Sequence, residues 1–100
     1  MLNSCIIQNP KPYDCEVKKI TVSKIYEGGV KDIVLEEANG DIYYINRGLE
    51  QGLTLEGMEQ KVLNKKVTLH LPNIITGTSN HIAQMALKDE IFYTEFSRSE

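Results

Sequence analysis

Asp41-Ile42-Tyr43-Tyr44-Ile45-Asn46-Arg47 sets two adjacent phenols beside a guanidinium. Successive side chains on a strand point to opposite faces, so at most one of Tyr43 and Tyr44 enters a core and the other is displayed near Arg47. A displayed aromatic next to a cation can stack a nucleobase or sit against another protein. The plainer reading of the same residues is a half-buried ring that packs across strands and keeps its hydroxyl in water. Tyr43, Tyr44 and Arg47 are the candidate binding surface.

Other chemistry-bearing residues are sparse. His70 and His81 are the two histidines, and either is placed by type to act as a general base. No serine or cysteine has a context that marks an activated nucleophile, and no G-x-S-x-G elbow occurs, so both histidines read as surface or structural. Cys5 and Cys15 could staple an N-terminal arm, but two unpaired thiols in a reducing compartment are the simpler expectation. With the histidines scattered, no C-x-x-C or H-x-x-x-H spacing converges on a metal. Glu56 and Glu59 share a predicted helix and need only solvation. The Gly28-Gly29 turn lacks the Lys-Ser/Thr of a phosphate loop. No catalytic residue, cofactor or metal is expected.

The chain of 100 residues suits one domain, with 41% hydrophobic and 25% charged residues and a net charge of -3. Proteins that hold a nucleic-acid backbone gain affinity by neutralising phosphates and usually carry a basic excess. Here the basic pairs Lys18-Lys19 and Lys65-Lys66 are balanced by Glu36-Glu37 and Asp89-Glu90, which argues against that partner. No apolar run approaches the ~20 residues of a membrane span. The start of the chain lacks a basic, then apolar leader. Leu2-Asn3-Ser4-Cys5 resembles the residues around a bacterial lipoprotein cleavage site, but without an upstream apolar segment a cytoplasmic protein is expected.

The elements that would position these residues are mostly strands. Pro10 and Pro12 mark residues 1–15 as an arm. Residues 16–26 form a long β-branched strand whose alternation slips between Ile20/Val22 and Val17/Ile25, which predicts a bulge. A second strand over residues 32–38 and a third over 41–46 flank Asn39-Gly40, a type I′ hairpin signal. Leu55, Met58, Val62 and Leu63 then form one helical stripe, with Thr54 as cap, Leu53 and Met58 as a hydrophobic staple and Asn64 as left-handed terminator. Val67, Leu69 and Leu71 alternate on a fourth strand, ended by Pro72. Residues 72–80 form a loop. Residues 81–87 are read as a strand rather than a helix, because Lys88-Asp89-Glu90 and Ile91-Phe92-Tyr93-Thr94-Glu95-Phe96 complete a closing hairpin.

The expected fold is mainly β: a small antiparallel barrel or roll over residues 16–97, with one short helix and a tail at 98–100. Three strands, a helix and a fourth strand, over residues 16–71, resemble the OB-fold in element order, without any family motif; an SH3-like barrel or half-open roll shares that order. The function read from this is a non-enzymatic interaction module that binds a protein partner or its own copies. An OB-like binder of single-stranded nucleic acid ranks second, and a small enzyme or small-ligand binder third. Self-association is expected through the closing strand at Phe92 and Phe96.

Overall fold

The first strand, β1 (Cys15–Gly28), serves two halves of the sheet. In a computed structural model that describes residues 11–96, its first half pairs antiparallel with β4 (Lys66–Ile74), from Cys15↔Pro72 to Thr21↔Lys66. The second half pairs with β2 (Asp32–Glu37), from Val22↔Glu37 to Gly28↔Asp32. The register shifts between Val22 and Lys24, and the hydroxyl of Ser23 at the shift donates to the Glu36 carbonyl at 3.0 Å. This is the bulge that the slipped alternation predicts. It exchanges the inward parity, so that Ile20 and Val22 before it and Ile25 after it are all buried, while Val17 is exposed.

β2 and β3 (Ile42–Ile45) form the expected hairpin, with a different turn. Glu37 N–H donates to the Asp41 carbonyl at 2.8 Å and Gly40 N–H to the Glu37 carbonyl at 2.9 Å, enclosing three residues. Of the dipeptide only Gly40 has positive φ, at 98°, whereas a type I′ turn needs it at both residues. Asn39 instead accepts the Asp41 N–H on its side-chain oxygen at 2.9 Å. The glycine closes a three-residue loop.

After β3 comes a short 3-10 turn, Gly48–Glu50, and then helix α1 (Leu55–Val62). Thr54 caps the helix by accepting the Gly57 N–H at 2.9 Å, and Met58 and Val62 turn into the core with Leu53 packed beside them. Asn64 takes the left-handed conformation at φ 65° and donates to the Val22 carbonyl at 2.7 Å. The helix exit is thereby fastened to the bulge in β1.

Pro72 does not end β4. The strand continues to Ile74 and folds back as β5 (Gly77–Thr78), so the loop expected at residues 72–80 contains a small hairpin. Proline lacks an amide donor but keeps its carbonyl, and the Pro72 carbonyl accepts from both the backbone and the hydroxyl of Ser79. β6 (Gln84–Leu87) and β7 (Glu90–Thr94) form the closing hairpin about the two-residue turn Lys88-Asp89. Residues 81–87 are thus no helix, though the strand begins only at Gln84.

The protein is mainly β: the described residues form seven antiparallel strands in one sheet of order β3-β2-β1-β4-β6-β7, with β5 on β4, and one short helix. No continuous ladder closes this sheet into a barrel. A parallel bridge, Tyr44↔His81, joins β3 to the segment before β6. Ile33, Leu35, Ile45, Leu69 and Met85 are fully buried between the curled sheet and α1. Each such side chain contributes about 1.5–3 kcal/mol. Among the described residues no helix is long and apolar enough to cross a membrane. Most of the N-terminal arm, with Cys5, and the tail at 98–100 lie outside the described residues.

Candidate functional site on the outer face of the meander

Alternation along β3 sends Tyr43 inward and Tyr44 outward. Tyr43 is 4% exposed and belongs to the core, with the Lys18 ammonium 5.5 Å from its ring centre. Tyr44 is half-buried and meets the ring of His81 edge-on at 5.5 Å. Burial, followed by the charges of Asp32 and Glu95, raises the Tyr44 hydroxyl above its usual pKa, so it stays a neutral donor.

Cross-strand register extends Tyr44 into a row. Tyr26 pairs with Val34, Val34 with Tyr44, and Tyr44 with His81, so these four side chains share one face across four segments. Tyr26 is 39% exposed, and Val34, between the two tyrosines, only 7%. In the adjoining row Lys24 pairs with Glu36 and Glu36 with Ile42, which is 44% exposed. The Tyr26 hydroxyl donates to the Glu36 carboxylate at 3.2 Å. The centre of the face is apolar and aromatic, and both charge signs stand at its edge.

Arg47 follows this face at the end of β3, with left-handed backbone at φ 50° and its N–H donated to the Asp32 carboxylate at 2.8 Å. Its guanidinium is turned to Glu50 at 3.2 Å. Of the sequence-predicted set, Tyr44 and Arg47 flank the face and Tyr43 does not. Sequence reasoning missed Tyr26, Val34 and Ile42. The bulge in β1 decides which parity of that strand faces outward, and the register across three strands decides who neighbours whom; the outward period of two in each strand was the available signal.

His81 is buried. Its Nε2–H donates to Glu95 Oε1 at 2.7 Å, Tyr93 donates its hydroxyl to the other carboxylate oxygen, and Gln51 Nε2 reaches that hydroxyl at 3.5 Å. Both oxygens of Glu95 are therefore engaged, and the pair fastens the end of β7 to residues 46–51, where Gln51 also donates to the Asn46 carbonyl at 2.8 Å. This arrangement holds a seam closed; among the described residues no serine or cysteine hydrogen-bonds to it. His70 lies on the outer side of β4 with its ring edge-on to Phe96 at 5.5 Å. The Cys15 thiol donates to the Lys11 carbonyl at 3.4 Å, and burial, then Asp14 and Glu95, raise its pKa, which opposes thiolate formation. Among the described residues no group of three or more His, Cys, Asp or Glu is placed to hold a metal.

The closing strand expected through Phe96 ends at Thr94, which leaves Phe92 on β7 and Phe96 just beyond it, and both phenylalanines are partly covered. Phe92 packs against the core beside α1 with the Lys61 ammonium 5.4 Å from its ring, and Phe96 rests on His70. Ile91, at 54% exposure, is the apolar residue that β7 displays. No protein-family model, curated protein or solved structure matches the chain.

Proposed function

We propose that this protein is a non-enzymatic interaction module, OB-like in topology, that presents the outer face of its meander to a protein partner, a second copy of itself included. The observation that carries this reading is the row Tyr26-Val34-Tyr44 with Ile42 beside it. An apolar, aromatic centre within a rim of mixed charge is the anatomy of a protein interface. The OB-like topology is supported by β1 pairing with both β2 and β4, by the helix between β3 and β4, and by the parallel bridge from Tyr44 to His81 just ahead of β6. In that arrangement β7 is an added strand.

A protein partner fits this face better than single-stranded nucleic acid. A stacking platform needs open rings and cations free to meet phosphate. Here Tyr44 is half-buried against the ring of His81, the Arg47 guanidinium is taken by Glu50, and Glu36 and Asp32 add negative charge on either side of the row.

A photo-crosslinking residue at Ile42, expressed in the host cell, tests the reading against the same group at Glu59 on the exposed side of α1. A protein adduct at position 42 that is absent at 59 and lost with Tyr26→Glu is expected. Sedimentation of the adduct identifies a second copy by its doubled mass. An adduct with nucleic acid would replace the protein reading with the nucleic-acid one, and no adduct at position 42 would overturn both.

A further inference from the structure

The outer side of β1, β4 and β6 gathers positive charge that the meander face does not use. Lys19 pairs with Thr68, Thr68 with Ala86, and Thr21 with Lys66, while the alternate residues Ile20, Val67 and Leu69 point into the core. Lys19, Lys66 and Thr68 therefore floor one outward surface. The antiparallel register Thr68↔Ala86 brings the start of β4 beside the end of β6, so Lys65 and Lys88 stand at one end of it, and with Leu87 and Asp89 these residues line a groove of about 490 Å³. Four of the eleven basic residues of a chain of net charge -3 meet here. Among the described residues none of the four forms an ion pair, and Asp89 is the single carboxylate in the lining.

The backbone holds both Lys65 and Lys88 in place. Lys65 follows the left-handed Asn64, donates its N–H to the Val62 carbonyl and accepts the Val22 N–H, each at 3.0 Å. Lys88 has φ 56° at the first position of the two-residue turn between Leu87 and Glu90. Glycine or asparagine occupies that region at least cost, and a long side chain there is strained. Lys31 and Arg47 share this left-handed backbone elsewhere in the fold, but Lys88 is the one of the three that lines the groove.

We propose that this groove binds a compact polyphosphate anion, a linear di- or triphosphate group. Four ammonium groups around one concavity match an anion of three or four charges, and the groove has the size of a small-ligand site, about 300–1,000 Å³. A short anion lies wholly within the local positive field. A long nucleic acid would leave it and meet a protein that is negative overall.

Calorimetric titration of the intact protein with sodium tripolyphosphate at low salt tests this, with amide NMR shifts to locate the ligand. Saturable one-to-one binding is expected, weakened by added salt and by about tenfold on Lys19→Gln or Lys66→Gln, with shifts at Lys19, Lys66, Thr68 and Lys88. ATP binding as tightly as tripolyphosphate identifies the phosphate chain alone as the recognised chemistry; tighter ATP binding adds its nucleoside and identifies a nucleotide as the source. Lys88→Gly is the decisive variant, because it should raise the melting temperature while weakening binding. Unsaturable binding, shifts confined to Lys18 and Lys24, an affinity indifferent to Lys88→Gly, or affinity for oligonucleotides that grows with their length beyond the groove would each overturn the proposal.

Discussion

Tyr93 shows how a single buried side chain makes the stability of this fold depend on pH. Its hydroxyl is pushed above the ordinary value of 10.0, first by burial and then by donation to Glu95, whose charge opposes a second negative charge beside it. A phenol whose folded-state pKa is raised contributes stability that is fully present below about pH 10 and is lost as pH climbs toward the folded value, because the unfolded chain releases the proton first. Urea midpoints of the native protein should therefore fall more steeply between about pH 9.5 and 11 than those of Tyr93→Phe. Tyr26 and Tyr44, also raised, remain in both proteins and cancel from the comparison. Equal slopes would remove Tyr93 as the cause. At this scale the sequence was only partly informative. Strand alternation separates Tyr43 from Tyr44, but nothing in the order of residues assigns Arg47 to Glu50 or His81 to Glu95, since those contacts depend on a left-handed turn and on strand placement.

Among the elements, α1 was the most legible, because a period of three to four, a capping threonine and a left-handed asparagine all act within the segment itself. Gly57 at the third helical position looks like a defect of about 1 kcal/mol relative to alanine, yet a Cβ there would approach the Thr54 hydroxyl to 2.9 Å, the same oxygen that caps the helix. The two positions should be coupled. Thr54→Ala is expected to cost about 1 kcal/mol, and Gly57→Ala to gain much less than the usual helical increment while Thr54 is present. In the Thr54→Ala background Gly57→Ala should recover that increment, giving an interaction energy of about 0.5–1 kcal/mol by chemical denaturation of the four proteins. Strict additivity would show that the hydroxyl is not displaced. The bulge in β1 was legible for the same local reason as the helix. The continuation of β4 through Pro72 was not, since a proline is tolerated or excluded according to where its missing amide would have pointed.

For the whole molecule, β3 at one edge of the sheet is brought against the segment ahead of β6 without a ladder. Tyr44 donates to the Asn80 carbonyl at 3.0 Å and accepts from Ile82 at 2.8 Å, and the Asn80 side chain donates to the Ile42 carbonyl at 2.7 Å. Three bonds are a thin seam beside the long β1–β4 pairing. The His81–Glu95–Tyr93–Gln51 chain lies behind it and links β7 to the residues after β3. Proteins open locally where backbone bonds are few and poorly supported, at free energies below that of global unfolding. Removing the histidine leaves a largely buried carboxylate oxygen without its partner, so His81→Ala should cost about 1–3 kcal/mol. The loss should also be uneven. Amide hydrogen exchange at Tyr44 and Ile82 should accelerate well beyond the change in global stability, while amides of the β1–β4 ladder follow the global value. Uniform acceleration would mean that the seam opens only when the whole domain unfolds. Selective acceleration would mean that the Tyr44 end of the meander face is held in place by a carboxylate at the far end of the chain, so that a ligand pressing on that face could be felt at β7.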